Sequence, residues 1–236
     1  MGRGWVHGVR VTEGAKKGKL FTKLAKEITV AVKSGGGSDP DANPRLRMAL
    51  SDARKSSMPK NTIERAIIRG TGEGSEAELE EICYEGYGPH GVAFLVETLT
   101  DNRKRTVQDL RAIFARGDGS LGAEGSVLWM FDRVSLLQAS IAEEGIDPEE
   151  AAIEAGASDV EAVEGEKKSW LFYASVEDLF QVEAELKKRG WEVDKAELSY
   201  RAKTPMSISE EQEADLEKLF SKLDDNDDVK KVHCAL

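Results

Sequence analysis

The chain has 236 residues, 40% of them hydrophobic, and a formal net charge of −11, which allows one large domain or two to three small ones with ordinary apolar cores. No apolar run approaches the roughly 18 residues of a membrane span, and the opening MGRGWVHGVR lacks the apolar centre of a secretory signal, so a cytoplasmic protein with no membrane partner is expected. Two cysteines, Cys83 and Cys234, supply no disulfide framework and are expected to be reduced. The charge is unevenly placed. Met1 to Gly70 carries fifteen Lys/Arg against six Asp/Glu, a balance of +9, whereas Thr71 to Leu236 carries eighteen against thirty-eight, or −20. A basic head on an acidic body points to a segment that faces a polyanion.

Trp5 and Arg10 lie in a Gly-rich arm that is too flexible to fold alone and is suited to ordering on a nucleic acid, with Trp5 stacking on a base. The alternative is that Trp5 plugs the domain that follows. Gly14 to Ser34 has helical spacing, with Leu20, Phe21, Leu24, Ile28, Ala31 and Val32 on one side. Lys16, Lys19, Lys23, Lys26 and Lys33 recur at steps of three, four, three and seven, which places five ammonium groups on one ridge opposite that face; Lys17 adds a sixth cation. GGGSDPDANP breaks the helix. Asn43 as N-cap and Pro44 at the first position open a second helix through Met58, with Arg47 and Arg54 on its flank. A third, from Pro59 to Gly70, buries Ile63, Ala66 and Ile67 and projects Lys60, Arg65 and Arg69.

From Glu81 the period changes to that of strands. Glu81 to Tyr87 and Val92 to Leu99 read as a hairpin closed by a Gly/Pro turn. A helix then runs from TDNRKRT to Arg116, and a strand, SVLWMFD, completes a ββαβ unit. Val134 to Lys203 reads as βαββαβ, the ferredoxin-like plan. An acidic helix over Ser209 to Leu223 and a strand over Val229 to Cys234 follow, and they most economically return to the ββαβ unit. The expected fold is therefore α+β: a three-helix basic domain over residues 1–78, a discontinuous domain over 79–133 and 205–236, and a ferredoxin-like domain over 134–204 inserted in it.

Chemistry finds little footing. Gly86, Gly88 and Gly91 match G-x-G-x-x-G, but Pro89 intervenes and a second strand follows where a dinucleotide fold needs a helix. His7, His90 and His233 are far apart, His233 and Cys234 point to opposite faces of one strand, and DDNDDV lacks the Gly and closing Glu of a calcium loop. No catalytic residue, metal or cofactor is expected. Arg103, Lys104 and Arg105 form a second basic point beside the hairpin turn that carries Tyr87, so one nucleic acid would touch both this point and the bundle; structural ion pairing is the competing reading. No helix begins with base-reading side chains, so structured RNA fits the wide basic surface as well as DNA does. A third reading has the acidic insert docking a basic protein.

Several stretches together resemble the YebC family, which is related to the mitochondrial translational activator of cytochrome oxidase. They are GKLFTKLAKEITVAVKSGGGSDPDANPRLRMAL, MPKNTIERAIIRGTGE, YEGYGPHGVAFLVETLTDNRKRT and the Gly-Ser-Val-x-Trp-x-Phe run at Gly125 to Phe131. The resemblance implies three domains in an open arrangement with no known catalysis. It implies a non-enzymatic regulator of transcription that binds DNA, or a factor that acts on ribosomes and relieves stalling at proline runs; a monomer is expected. Two positions depart from the family pattern: the N-terminal arm has fewer cations, and His90 stands in a turn that is usually Gly-Pro-Gly-Gly.

Overall fold

In the computed structural model, residues 15–72, 78–141, 146–163 and 168–236 are described, the side chains of Ala15 and Lys16 excepted. Three helices come first: α1 (Ala15–Ser34), α2 (Pro44–Lys55) and α3 (Lys60–Gly70). Their apolar faces meet in one core built on Ile28, Ala31, Val32, Leu46, Ala49, Leu50, Ala53, Met58 and Ala66. Asn43 starts α2 as its capping chemistry predicts, with Oδ1 accepting from the Leu46 N–H at 3.0 Å. Its Nδ2 also donates to the carbonyls of Ala31 and Gly37, both at 2.8 Å, so this buried amide ties the start of α2 to the end of α1. Gly35 permits that approach, since a Cβ there would lie 2.4 Å from Asn43 Oδ1.

The chain continues as β1 (Glu80–Tyr87), β2 (Ala93–Thr100), α4 (Arg103–Arg116) and the two-residue β3 (Ser120–Leu121). β4 (Phe131–Ser140), α5 (Pro148–Ala155), β5 (Asp159–Val163), β6 (Ser169–Ala174), α6 (Leu179–Lys188) and β7 (Glu192–Ala202) follow, and α7 (Glu210–Asp224) and β8 (Val229–Cys234) close the chain. The molecule is α+β, with seven α-helices and two four-stranded sheets among the described residues. The first sheet has the order β3-β1-β2-β8, and β1 pairs antiparallel to both β2 and β3. Helices α4 and α7 bury Leu110, Phe114, Leu216, Leu219 and Leu223 beside Phe94 of β2. The rings of Phe94 and Phe114 meet edge to face at 6.0 Å. The second sheet has the order β5-β6-β4-β7 with antiparallel pairing throughout. Phe172, Leu137, Val182 and Leu186 are fully enclosed in this part of the chain.

The described residues divide into two compact units, 15–128 with 208–232, and 129–207 with 233–236. The first therefore holds the three helices together with the sheet of β1, β2 and β3, and the chain leaves it after Leu128 and returns at Ile208. One expected element is corrected. SVLWMFD does not form a strand of its own: Leu128–Met130 is a short 3-10 turn, and β4 begins at Phe131. The cause is Glu85 on β1. Its buried carboxylate accepts from the N–H groups of Gly125, Val127 and Leu128 at 2.6, 2.6 and 2.8 Å, which turns these donors toward one point and away from a strand ladder.

Candidate nucleic-acid interface

The lysine ridge of α1 meets the chain's own acids. After α7 the sequence runs Asp224-Asp225-Asn226-Asp227-Asp228, and this turn lies along α1. Lys19 pairs with Asp225 at 3.4 Å, Lys23 with Asp224 at 2.9 Å and Lys26 with Asp228 at 2.7 Å. The match follows from spacing: ammonium groups three and four residues apart on a helix present a row, and consecutive aspartates of a turn supply the countercharges. Lys26 also donates to the carbonyls of Leu99 and Asp227, at 3.1 and 2.9 Å. The side chains of Lys23 and Lys26 are only 17% and 16% exposed, which corrects the expectation of an open ridge at these two positions. In the last turn of α1, Lys33 pairs with Glu78.

Asp228 is the centre of the arrangement. Arg105 places Nη2 at 3.0 and 2.8 Å from its two carboxylate oxygens, Thr106 donates at 2.9 Å, and Lys26 closes the set. Burial alone would push this carboxyl up, but the hydrogen bonds from Lys26, Arg105 and Thr106 outweigh it and hold the group below the usual aspartate range. The TDNRKRT segment thus adjoins α1 through one shared carboxylate. At the other end of the bundle, Arg45 pairs with Glu81 and sits 3.6 Å from Glu27, while Lys230 reaches the same Glu27 at 3.0 Å.

The remaining expected contacts fall into three groups. Trp5 and Arg10 lie outside the described residues, as does the side chain of Lys16. Several cations and one tyrosine hold backbone or neighbouring acids: Arg47 donates to the carbonyls of Pro40 and Asp41 at 3.0 and 2.8 Å, Arg65 to that of Asn61 at 3.2 Å, and Tyr87 to that of Ser126 at 3.3 Å. Arg103 pairs with Glu80 at 2.5 Å. Lys17, Arg54 and Lys104 are exposed, with no carboxylate partner among the described residues, and Arg69 is exposed on the last turn of α3. His90, at the hairpin tip with φ 62°, lies 3.3 Å from Asp215 on α7.

Sequence reasoning did not foresee the partners of Glu85 and Asp228, which come from segments 40 and more than 120 residues away. The DDNDD run was a visible signal for the second, since its charge and spacing complement the ridge. No cluster of His, Cys, Asp and Glu able to hold a metal occurs among the described residues. Desolvation, with the carboxylates of Glu97 and Glu85, pushes the Cys83 thiol up to about 12, so it is protonated at neutral pH and a poor nucleophile. No helix of the described residues is long and apolar enough to cross a membrane.

A helical bundle with unpaired surface cations, locked to an acidic α+β body, defines a binding protein more readily than a catalyst. Family comparison agrees: residues 8–73 match the TACO1/YebC protein N-terminal domain and residues 79–236 the TACO1/YebC second and third domain, and the chain belongs to the TACO1/YebC family. It is 48% identical, over the full length of both chains, to the probable transcriptional regulatory protein Bd1964 of Bdellovibrio bacteriovorus. It is 46% identical to the probable transcriptional regulatory protein TTE1135 of Caldanaerobacter subterraneus, across 93% of this chain and 89% of that one. Among solved structures, the conserved hypothetical protein Aq1575 from Aquifex aeolicus is similar with a TM-score of 0.84 and 39% identity, covering 97% of this chain and 96% of that one. The relatives are named as regulators of transcription, a non-enzymatic class.

Proposed function

We propose that this protein is a non-enzymatic regulator of gene expression that binds nucleic acid, acting as a cytoplasmic monomer and, by analogy with the names of its relatives, on DNA in transcription. The observation that carries the reading is the charge partition, +9 over Met1 to Gly70 against −20 over the rest. Internal pairing accounts for Lys19, Lys23, Lys26 and Lys33. Lys17 and Arg54 keep no carboxylate partner among the described residues, and Lys60 is 92% exposed with only Glu64 beside it at 3.6 Å. The first turns of α1, α2 and α3 contain no acid, which leaves the positive ends of three helix dipoles uncompensated.

A second reading, structured RNA on the ribosome, is favoured by the dispersal of the open cations over α1, α2 and α4, because shape recognition of RNA needs phosphate contacts spread over a surface and no single recognition helix. The test compares crosslinked, sequenced nucleic acid recovered from cells with the native chain and with Arg54→Glu/Lys60→Glu/Arg65→Glu. Lys23 and Lys26 are left intact because they hold the fold. Promoter DNA lost in the variant is the expected result; ribosomal RNA lost in the variant selects the second reading, and no charge-dependent recovery of either overturns both.

A further inference from the structure

Helix α4 is electrically out of place. It contains Arg103, Lys104, Arg105, Arg111 and Arg116 against the single Asp109, inside the part of the chain whose balance is −20. Three of these cations occupy its first turn, which holds no acid, although the positive end of a helix dipole disfavours cations there. Helices α5 and α7 follow the opposite and stabilising pattern, with Glu149 and Glu150, and with Glu210, Glu211 and Glu213, in their first turns.

Two of the five cations are compensated within the fold, Arg103 by Glu80 and Arg105 by Asp228 and Asp101. Lys104, Arg111 and Arg116 have no carboxylate partner among the described residues: Arg111 and Arg116 have no Asp or Glu three or four positions away, and Asp101, three residues before Lys104, pairs with Arg105 instead. Four exposed helical lysines elsewhere do have one: Lys60 beside Glu64, Lys187 beside Glu183, Lys188 beside Glu185 and Lys218 beside Asp215. The opposite side of α4 buries Thr106, Leu110 and Phe114. Lys104 and Arg111, seven residues apart, therefore share the outer face, separated by about 10 Å along the axis at 1.5 Å per residue. Gln108 is exposed between them and offers amide donors.

We propose that this outer face of α4, formed by Lys104, Gln108 and Arg111 with Arg116 at its end, holds the phosphodiester backbone of a nucleic acid. The proposal rests on the function proposed above and adds a second contact surface outside the bundle. An arrangement that costs helix stability when empty and is relieved by an anion along its outer face is what a phosphate-binding helix requires. A duplex offers a phosphate about every 3.4 Å of axis on each strand, so the span from Lys104 to Arg111 reaches more than one phosphate.

The experiment uses the full-length protein and labelled 30-mers of one sequence as duplex DNA, duplex RNA and single-stranded RNA, with affinity measured across a salt series. Three proteins are compared: wild type, Lys104→Gln/Arg111→Gln/Arg116→Gln and Arg54→Gln/Lys60→Gln/Arg65→Gln. The α4 variant is expected to lose roughly tenfold to a hundredfold in affinity near 0.15 M salt, with the slope of log affinity on log salt shallower by about 2 to 3. Its melting temperature is expected to stay nearly level, because losing the unfavourable Lys104 at the helix start offsets losing the favourable Arg116 at its end; a structural role would lower it. The probe most affected names the source of the phosphates. Wild-type binding with an unchanged α4 variant overturns this proposal and leaves the bundle reading intact. Failure of wild type to bind any probe overturns the proposed function itself.

Discussion

Asp228 joins three parts of the chain through one carboxylate: Lys26 of α1, the start of α4 and the turn before β8. Replacing it with Asn keeps the shape but leaves the largely buried ammonium of Lys26 without its counterion. Breaking such a pair from one side costs about 3–5 kcal/mol, and the half-exposed Arg105, which can turn to water, places the expected loss near the lower figure. Urea unfolding at pH 7 measures it. The same residue sets a pH dependence. Because its folded pKa is depressed, its contribution is complete above the unfolded aspartate value of about 3.9 and declines as pH falls through the folded value. Wild type is therefore expected to lose more stability than Asp228→Asn between pH 5 and roughly pH 2; parallel acid limbs for the two proteins would show that Asp228 is not what titrates.

Two sites at the scale of the element turn on how closely backbone approaches its neighbours. Gly70 ends α3 against α1, where a Cβ would lie 2.6 Å from Val32 Cβ and 2.7 Å from the Thr29 carbonyl. Ala at this position gains about 0.8–1 kcal/mol of helix propensity, yet the overlap with backbone costs about 1–3 kcal/mol, so Gly70→Ala is expected to lower the melting temperature. The Glu85 carboxylate is likewise held below its usual range: burial pushes it up, and the N–H groups of Val127, Gly125 and Leu128 more than reverse this. Glu85→Gln retains one acceptor and turns an amide donor toward the same N–H groups. A loss of about 2–4 kcal/mol is expected, together with faster hydrogen exchange at Gly125, Val127 and Leu128; unchanged exchange there would remove Glu85 as the clamp. These elements were unequally legible in the sequence. The three- and four-residue periodicity gave α1, α2 and α3 directly, and Asn43-Pro44 gave the start of α2 to the residue. SVLWMFD misled because β-rich composition carries no information about an acceptor on a strand 40 residues earlier.

For the whole molecule, what the sequence could and could not reveal about the candidate site follows from distance along the chain. The asymmetry of charge was plain, but the destination of the lysine ridge was hidden, since Lys23 and Asp224 are 201 residues apart. Periodicity describes one helix and is silent about what covers it. The structure divides the basic residues into those that hold the fold, such as Lys23, Lys26 and Arg105, and those that remain open, such as Lys17, Arg54, Lys104 and Arg111. Screening acts differently on the two kinds. Raising salt from 0.05 to 0.5 M is expected to weaken nucleic-acid binding by orders of magnitude while changing the unfolding midpoint little, because the Lys26–Asp228 pair is shielded from solvent ions; a parallel collapse of stability would mean that the internal pairs are as exposed as the external ones.

The seam between α1 and the Asp224 to Asp228 turn also imposes an order in time. Lys19, Lys23 and Lys26 leave the ribosome some 200 residues before their aspartates do, which at about 5–20 residues per second is an interval of roughly 10–40 seconds. Throughout that interval the row of lysines lacks its aspartates, and only synthesis of the Asp224 to Asp228 turn supplies them.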